Sequence, residues 1–286
     1  MKILITIYPF GISEIEMQKL FPGFDVIYND KRRKLNNEEL KEVLKKTNPD
    51  IIVAGTEKYT AGELNLCPNL KMISRAGVGV DGVDLAECQK RNIAVTYVPD
   101  ACTTAVAELT ISQMINALRN VQYVSNTWER AIGSSLANSV IGVFGCGRIG
   151  KAVIERLYGF KPAKILINDI NPDQMNSLKD CQPATKDEIL RLADIITFHI
   201  PLIDPTLTPK YNNYDFIKFD DLEKCKQTAI IINTSRGGII NEKDLNDWLK
   251  NNPGAKAVID TFEIEPYEGE LRVLKNVFAT DRKSVV

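Results

Sequence analysis

Short runs of β-branched and other apolar residues alternate with amphipathic stretches along the whole chain. The runs Ile3–Tyr8, Asp25–Tyr28, Ile51–Ala54, Met72–Arg75 and Ala94–Tyr97 predict one set of strands. Val140–Phe144, Lys164–Asn168, Ile195–His199, Ala229–Asn233 and Ala257–Ile259 predict a second. Apolar positions at helical spacing predict helices at Asn37–Lys46, Leu85–Arg91, Thr103–Arg119, Ile149–Tyr158 and Glu242–Lys250. Strands that are apolar throughout, rather than alternating, are buried on both faces, as in parallel sheets covered by helices. The expected fold class is α/β, with two doubly wound parallel-sheet domains. The pattern restarts after the Thr103–Arg119 helix, where Val106, Leu109, Met114, Ile115 and Leu118 mark one buried face. Domains are therefore expected at 1–100 and 101–280. The segment Leu202–Phe219, with Pro205, Pro209, Asn212 and Asn213, loses the apolar period and is expected to be a surface excursion.

Composition narrows the class. The chain has 286 residues, 44% of them hydrophobic and 26% charged, enough for two ordinary cores. Lys+Arg (36) and Asp+Glu (37) nearly cancel, which argues against a nucleic-acid partner, since that affinity rests on clustered positive charge. The six cysteines are scattered, with no C-x-x-C pair, so neither a disulfide framework nor a metal site is expected, and a reducing, cytoplasmic setting is. The apolar start is broken by Pro9, Gly11, Glu14 and Glu16 and is read as a strand, not a secretion signal. No apolar run approaches membrane-spanning length, and no membrane partner is expected.

The sharpest chemical signal is G-x-G-x-x-G at Gly145, Gly147 and Gly150. Alone it is weak. Here it follows a predicted strand, opens a predicted helix through Arg148 and Ile149, and precedes a strand ending on Asp169, about 20 residues further on. That context predicts a Rossmann dinucleotide-binding domain. Gly145 permits the tight turn, Gly147 the approach of a pyrophosphate, and Gly150 the packing of helix on strand, while the helix N-terminus supplies N–H donors. Asp169 is expected to bind the adenosine ribose. No Arg follows it, so NAD is favoured over NADP. The bland alternative is a glycine-rich packing turn with Asp169 as a strand-end cap. Ligands of open α/β sheets lie beyond the carboxyl ends of strands. Those ends here read Ala76-Gly-Val-Gly-Val-Asp81, His199-Ile-Pro-Leu202, Asn233-Thr-Ser-Arg-Gly-Gly238 and Asp260-Thr-Phe-Glu-Ile-Glu-Pro266.

With Ser74-Arg-Ala-Gly-Val-Gly-Val-Asp-Gly-Val-Asp-Leu85 and Ala105-Val-Ala-Glu108, these motifs stand in the order found in the D-2-hydroxyacid dehydrogenases, the group that includes phosphoglycerate dehydrogenase. The chain resembles that family from Ile51 to about Asp281. The resemblance implies an NAD-dependent oxidoreductase moving hydride between nicotinamide and a small 2-hydroxy or 2-oxo acid, commonly as a homodimer. The Thr103–Arg119 helix and the segment around Trp128 are then the expected dimer interface. Residues 1–100 become the substrate-binding domain and 101–280 the NAD-binding domain. Arg236 would hold the substrate carboxylate and carbonyl oxygen, a task suited to a planar multi-donor guanidinium. The amides of Val78 and Gly79 would hold the other side of the carboxylate. Asp260 would bind the nicotinamide carboxamide, with Thr234 nearby through its backbone and His199 and Pro201 on the cofactor side. Glu265 would pair with a catalytic histidine and raise its pKa. Outside that context Arg236 would read as a surface ion pair, Glu263 and Glu265 as solvated loop carboxylates, His199 as a structural histidine and Cys146 as a small filler.

The chain departs from the pattern at one point. His199 is its only histidine, whereas the family's acid–base histidine follows a final strand, here expected at Val277–Ala279. The sequence instead continues Thr280-Asp-Arg-Lys-Ser-Val-Val286, with Arg282 at the expected position. An arginine stays protonated and cannot accept the alcohol proton. Residues 281–286 read as a remnant of the return to the first domain, with a frameshifted, alternatively terminated or engineered end. Impaired turnover is expected. The alternatives are an NAD(H)-binding or sensing protein acting through a partner, or a truncated product that melts without cooperativity.

Overall fold

The computed structural model describes residues 1–8, 10–121, 128, 130–203 and 212–280. It divides into two compact units, Met1–Ala101 and Cys102–Val286. Among the described residues no helix is long and apolar enough to cross a membrane.

The first unit runs β1 (Lys2–Ile5), α1 (Glu14–Leu20), β2 (Asp25–Tyr28), α2 (Asn37–Thr47), β3 (Ile51–Ala54), α3 (Ala61–Leu64), β4 (Met72–Arg75), α4 (Leu85–Lys90) and β5 (Ala94–Tyr97). Its five strands are parallel and ordered β2-β1-β3-β4-β5. Helix starts are fixed locally by reciprocal caps: Ser13 with Glu16 at α1, and Asn36 with Glu39 at α2. Leu40 and Leu44 of α2 are fully buried with Ile52, Leu64 and Ile73 in one core. Strand β1 is shorter than its apolar run. Thr6 still donates its amide to Val53 O at 3.0 Å, but its hydroxyl turns inward to Tyr59 Oη (2.7 Å) and Glu57 Oε2 (3.2 Å), and pairing with β2 ends at Ile5 and Tyr28.

The second unit begins with α5 (Thr103–Arg119) and continues through β6 (Val140–Phe144), α6 (Arg148–Tyr158), β7 (Lys164–Asn168), α7 (Pro172–Asn176), β8 (Gln182–Pro183), α8 (Lys186–Leu192), β9 (Ile195–Phe198), α9 (Phe219–Leu222), β10 (Ile230–Asn233), α10 (Glu242–Asn251), β11 (Lys256–Ile259) and β12 (Val277–Ala279). Its seven parallel strands are ordered β12-β11-β10-β9-β6-β7-β8. Sequence order reverses between β9 and β6, the doubly wound arrangement whose crevice lies at that switch point. Every residue of β9 and β10 is buried, which accounts for their unbroken apolar runs. One face of the sheet packs Ile141, Val143 and Ile232 under α5 and α6; the other packs Phe198 and Ile231 against α8 and α10.

One expectation changes. The surface excursion holds only in part. Residues 204–211 lie outside the described residues, but Ile217 is buried, paired with Ile240, and Phe216 meets Phe144 edge-on at 5.3 Å. The apolar face of α5, with Val106, Ala107, Ile111, Met114 and Leu118 buried, is spent on its own unit. Exposed apolar side chains that follow it in the chain are Val121, Trp128 and Ile132.

Candidate functional site

The glycine loop joins β6 to α6 at the switch point. Gly145 has φ +93°, and a Cβ on it would stand 2.6 Å from His199 O. A Cβ on Gly150 would stand 1.9 Å from Gly145 O. Both glycines are therefore demanded by backbone packing within the protein. Gly147 differs. Its φ of −72° suits any residue, and nothing lies within 4 Å of where its Cβ would be. The same residue starts α6 with no side-chain cap, so the first N–H groups of that helix keep their donors for an anion. An exposed backbone facing open space at an uncapped helix start fits a dinucleotide pyrophosphate.

Asp169, just past β7, accepts the Cys146 amide on Oδ2 (2.7 Å) and the Asn171 amide on Oδ1 (2.8 Å). It thus ties the glycine loop to the β7 loop and is pre-oriented, while each oxygen keeps a lone pair for a ribose hydroxyl. Cys146 is buried, and burial with the nearby Asp169 charge pushes its thiol up to about 12, so it is no nucleophile. Arg148 is exposed and Ile149 half-buried at the start of α6.

His199 follows β9 and donates its amide to Phe144 O at 2.7 Å. Its Nε2 lies 3.1 Å from Thr197 Oγ1, and its buried Nδ1 has no hydrogen-bond partner among the described residues. Burial lowers its pKa to about 3, so the imidazole is neutral at working pH and cannot cycle a proton. Pro201 is exposed, its carbonyl accepting from Asn213 Nδ2.

The loop after β10 is organised by Asn233, whose role the sequence reading missed. Its Oδ1 accepts from Ser235 N (3.1 Å) and Ser235 Oγ (2.8 Å), and its Nδ2 donates to Arg236 O (2.8 Å). Arg236 is half-buried and donates Nη1 to Ser235 O at 2.9 Å. Buried Thr234 lies with its Oγ1 3.0 Å from Thr110 Oγ1 of α5. A Cβ on Gly237 would fall 2.1 Å from Phe262 C, so the β10 and β11 loops touch backbone to backbone. The adjacent glycines after Arg236 were the available signal for that contact.

Asp260 follows β11 directly, buried, accepting from Thr280 Oγ1 at 2.5 Å. Glu265 is exposed and accepts the Phe262 amide at 3.2 Å. Glu263 is not a plain solvated carboxylate: Tyr214 Oη donates to its Oε1 at 2.5 Å, and its own amide donates to Glu242 Oε1 at 2.8 Å. Burial, then the charges of Glu263 and Glu265, raise the Glu242 pKa. Arg282 and the rest of 281–286 lie outside the described residues.

In the first unit the loop after β4 carries Val78 and Gly79, both half-buried. Ala76 N donates to Ala54 O, and Val98 N to Gly77 O. The amides of Val78 and Gly79 make no hydrogen bond within the described residues, as expected of a small-anion loop. An open cleft of about 520 Å³, lined in part by Tyr158, Lys164 and Cys181, sits at the start of β7. That is the opposite end of the sheet from the glycine loop, and it holds none of these groups.

The arrangement agrees with three comparisons. Residues 109–281 match the family model for the D-isomer specific 2-hydroxyacid dehydrogenase, NAD binding domain. The chain is 34% identical over 255 residues to a D-3-phosphoglycerate dehydrogenase of Methanocaldococcus jannaschii, covering 86% of this chain and 47% of that protein. It is 30% identical over 270 residues to a hydroxypyruvate reductase of Thermotoga maritima, covering 89% and 85%. It therefore spans about half the length of the first relative and most of the second. A Staphylococcus aureus NAD-dependent formate dehydrogenase in complex with NAD superposes with a TM-score of 0.81 at 26% identity, over 99% of this chain and 89% of that one. Parallel doubly wound topology, an uncapped glycine-loop helix and strand-end motifs in the family's order all coincide with these matches, and the chain belongs to the D-isomer specific 2-hydroxyacid dehydrogenase family, with an NAD-binding domain over residues 109–281.

Proposed function

We propose that the chain is an NAD-dependent oxidoreductase acting on a small 2-hydroxy or 2-oxo acid, with residues 1–100 binding substrate and 101–280 binding NAD. The observation that carries this reading is Gly147, whose open backbone at an uncapped helix start fits a pyrophosphate. NAD, when bound, supplies the nicotinamide that accepts or returns hydride. Gly145, Gly147, Arg148, Ile149 and Gly150 hold the phosphates, and Asp169 the adenosine ribose. Asp260 and Thr234 orient the nicotinamide end, beside His199 and Pro201. Arg236 binds the substrate carboxylate and polarises the carbonyl, its guanidinium carried on the loop that Asn233 fixes. The Val78 and Gly79 amides of the first unit are donors suited to a carboxylate. Glu265 is the carboxylate that would stabilise an imidazolium partner.

Within these 286 residues the only imidazole is His199, which burial keeps neutral. Turnover by this chain alone is therefore slower, by about 10²–10⁴-fold, than with a positioned acid–base. The same observation favours a second reading, an NAD(H)-binding protein that acts through a partner. A homodimer is proposed through the Thr103–Arg119 helix and the segment around Trp128, supported by the exposed Val121, Trp128 and Ile132. The cytoplasm is the proposed location, supported by six free thiols. The test follows NADH absorbance with glyoxylate, hydroxypyruvate and other 2-oxo acids. Slow oxidation that vanishes in Arg236→Ala supports the enzyme. NADH binding with no oxidation supports the second reading, and no NADH binding defeats both.

A further inference from the structure

Helix α5 reaches the nicotinamide end of the proposed site through one side chain. Thr110 is fully buried on α5, and its hydroxyl donates to Val106 O at 2.8 Å. A threonine hydroxyl has one hydrogen. Once that is given to the helix carbonyl, the 3.0 Å contact with Thr234 Oγ1 must run the other way, with Thr234 donating and Thr110 accepting. The direction of this pair is thereby set by the helix. Thr234 is itself buried, so neither hydroxyl has water as an alternative partner.

Thr234 is the first residue after β10 and leads directly into Ser235 and Arg236. Asn233 holds this loop from the sheet side, through Ser235 N, Ser235 Oγ and Arg236 O. Thr110 holds it from the helix side, by fixing the Thr234 side chain. We infer that Thr110 is a positioning residue for nicotinamide recognition: it fixes the Thr234 side chain and keeps the 234–236 loop in place without touching cofactor or substrate. This rests on the reading of Thr234 and Asp260 as the nicotinamide end of the site.

The test compares two ligands that share the adenosine and pyrophosphate ends. NADH and ADP-ribose are titrated against the full chain carrying Thr110→Val, an isosteric change that removes only the hydroxyl, and against Thr110→Ser, which keeps it. Thr110→Val is expected to weaken NADH about tenfold and ADP-ribose less than twofold, with Thr110→Ser near the unsubstituted chain. Thr234→Val, combined with Thr110→Val in a double-mutant cycle, covers a folding defect in the first variant. The double variant should bind NADH no worse than Thr234→Val alone, because the two hydroxyls act as one unit. Equal weakening of both ligands by Thr110→Val would make its role merely structural, and unchanged NADH affinity would remove any role; either overturns the inference. Failure of the unsubstituted chain to bind either ligand would be recognised separately, as the failure of the cofactor reading itself.

Discussion

In the second unit the glycine loop and the β10 loop meet their neighbours backbone against backbone, whereas in the first the ends of β1 and β3 are joined through buried polar side chains. Gly145 lies against the His199 carbonyl, Gly150 against the Gly145 carbonyl, and Gly237 against Phe262. None of these approaches tolerates a Cβ. In the first unit the ends of β1 and β3 are joined by Tyr59, Thr6 and Glu57, all buried and hydrogen-bonded through the Thr6 hydroxyl. Burial, with the Glu57 charge, holds the Tyr59 phenol well above its ordinary pKa, so it stays protonated and able to donate. Backbone packing gives a rigid edge with open N–H groups. A side-chain network gives an edge whose chemistry can be changed by single substitutions. The contrast matches the proposed division of labour, an invariant cofactor on one unit and a selectable acid on the other.

The largest expected effect breaks the backbone edge. Gly150→Ala would drive a methyl into the Gly145 carbonyl and should lower unfolding free energy by about 3–4 kcal/mol in a urea titration. A loss below about 1 kcal/mol would mean the loop yields easily. Next is His199. Its folded pKa of about 3 lies below the ordinary 6.5, so the unfolded chain takes up the proton first. This contribution is intact above pH 6.5 and is lost as pH falls toward 3. Because the residue is only half-buried, we expect the unsubstituted chain to lose about 2 kcal/mol more than His199→Gln between pH 7 and pH 4. Parallel pH profiles would contradict the burial argument. The smallest effect probes the first unit. Tyr59→Phe removes the donor to Thr6 and should cost about 1 kcal/mol, with NADH affinity unchanged; an altered affinity would show that the two edges are not separable.

Much of this was legible in the sequence, for identifiable reasons. Parallel strands with buried centres leave apolar runs, so β6, β7 and β10 show themselves within a residue of their ends. Gly145 and Gly150 are legible because tight turns and helix–strand contacts have few solutions. What could not be read was pairing between distant residues. Thr110 and Thr234 are 124 positions apart, and nothing local to either marks it as a partner. Tyr214 is joined to Glu263 by fold alone, and Thr6 reads as part of a strand until Glu57 and Tyr59 are brought beneath it. The apolar face of α5 was legible as buried, but periodicity cannot say against what, and it is the sheet of its own unit.

The central claim is that the carboxyl edge of the second sheet binds NAD through open backbone at Gly147. The direct measurement is an NADH fluorescence titration of the unsubstituted chain and of Gly147→Ala, with unfolding followed in the same samples. Because Gly147 has an ordinary φ and an empty surrounding, stability should stay within about 0.5 kcal/mol, while NADH affinity falls at least about tenfold as the methyl takes the pyrophosphate's place. Unchanged affinity in a stably folded Gly147→Ala protein would contradict the account.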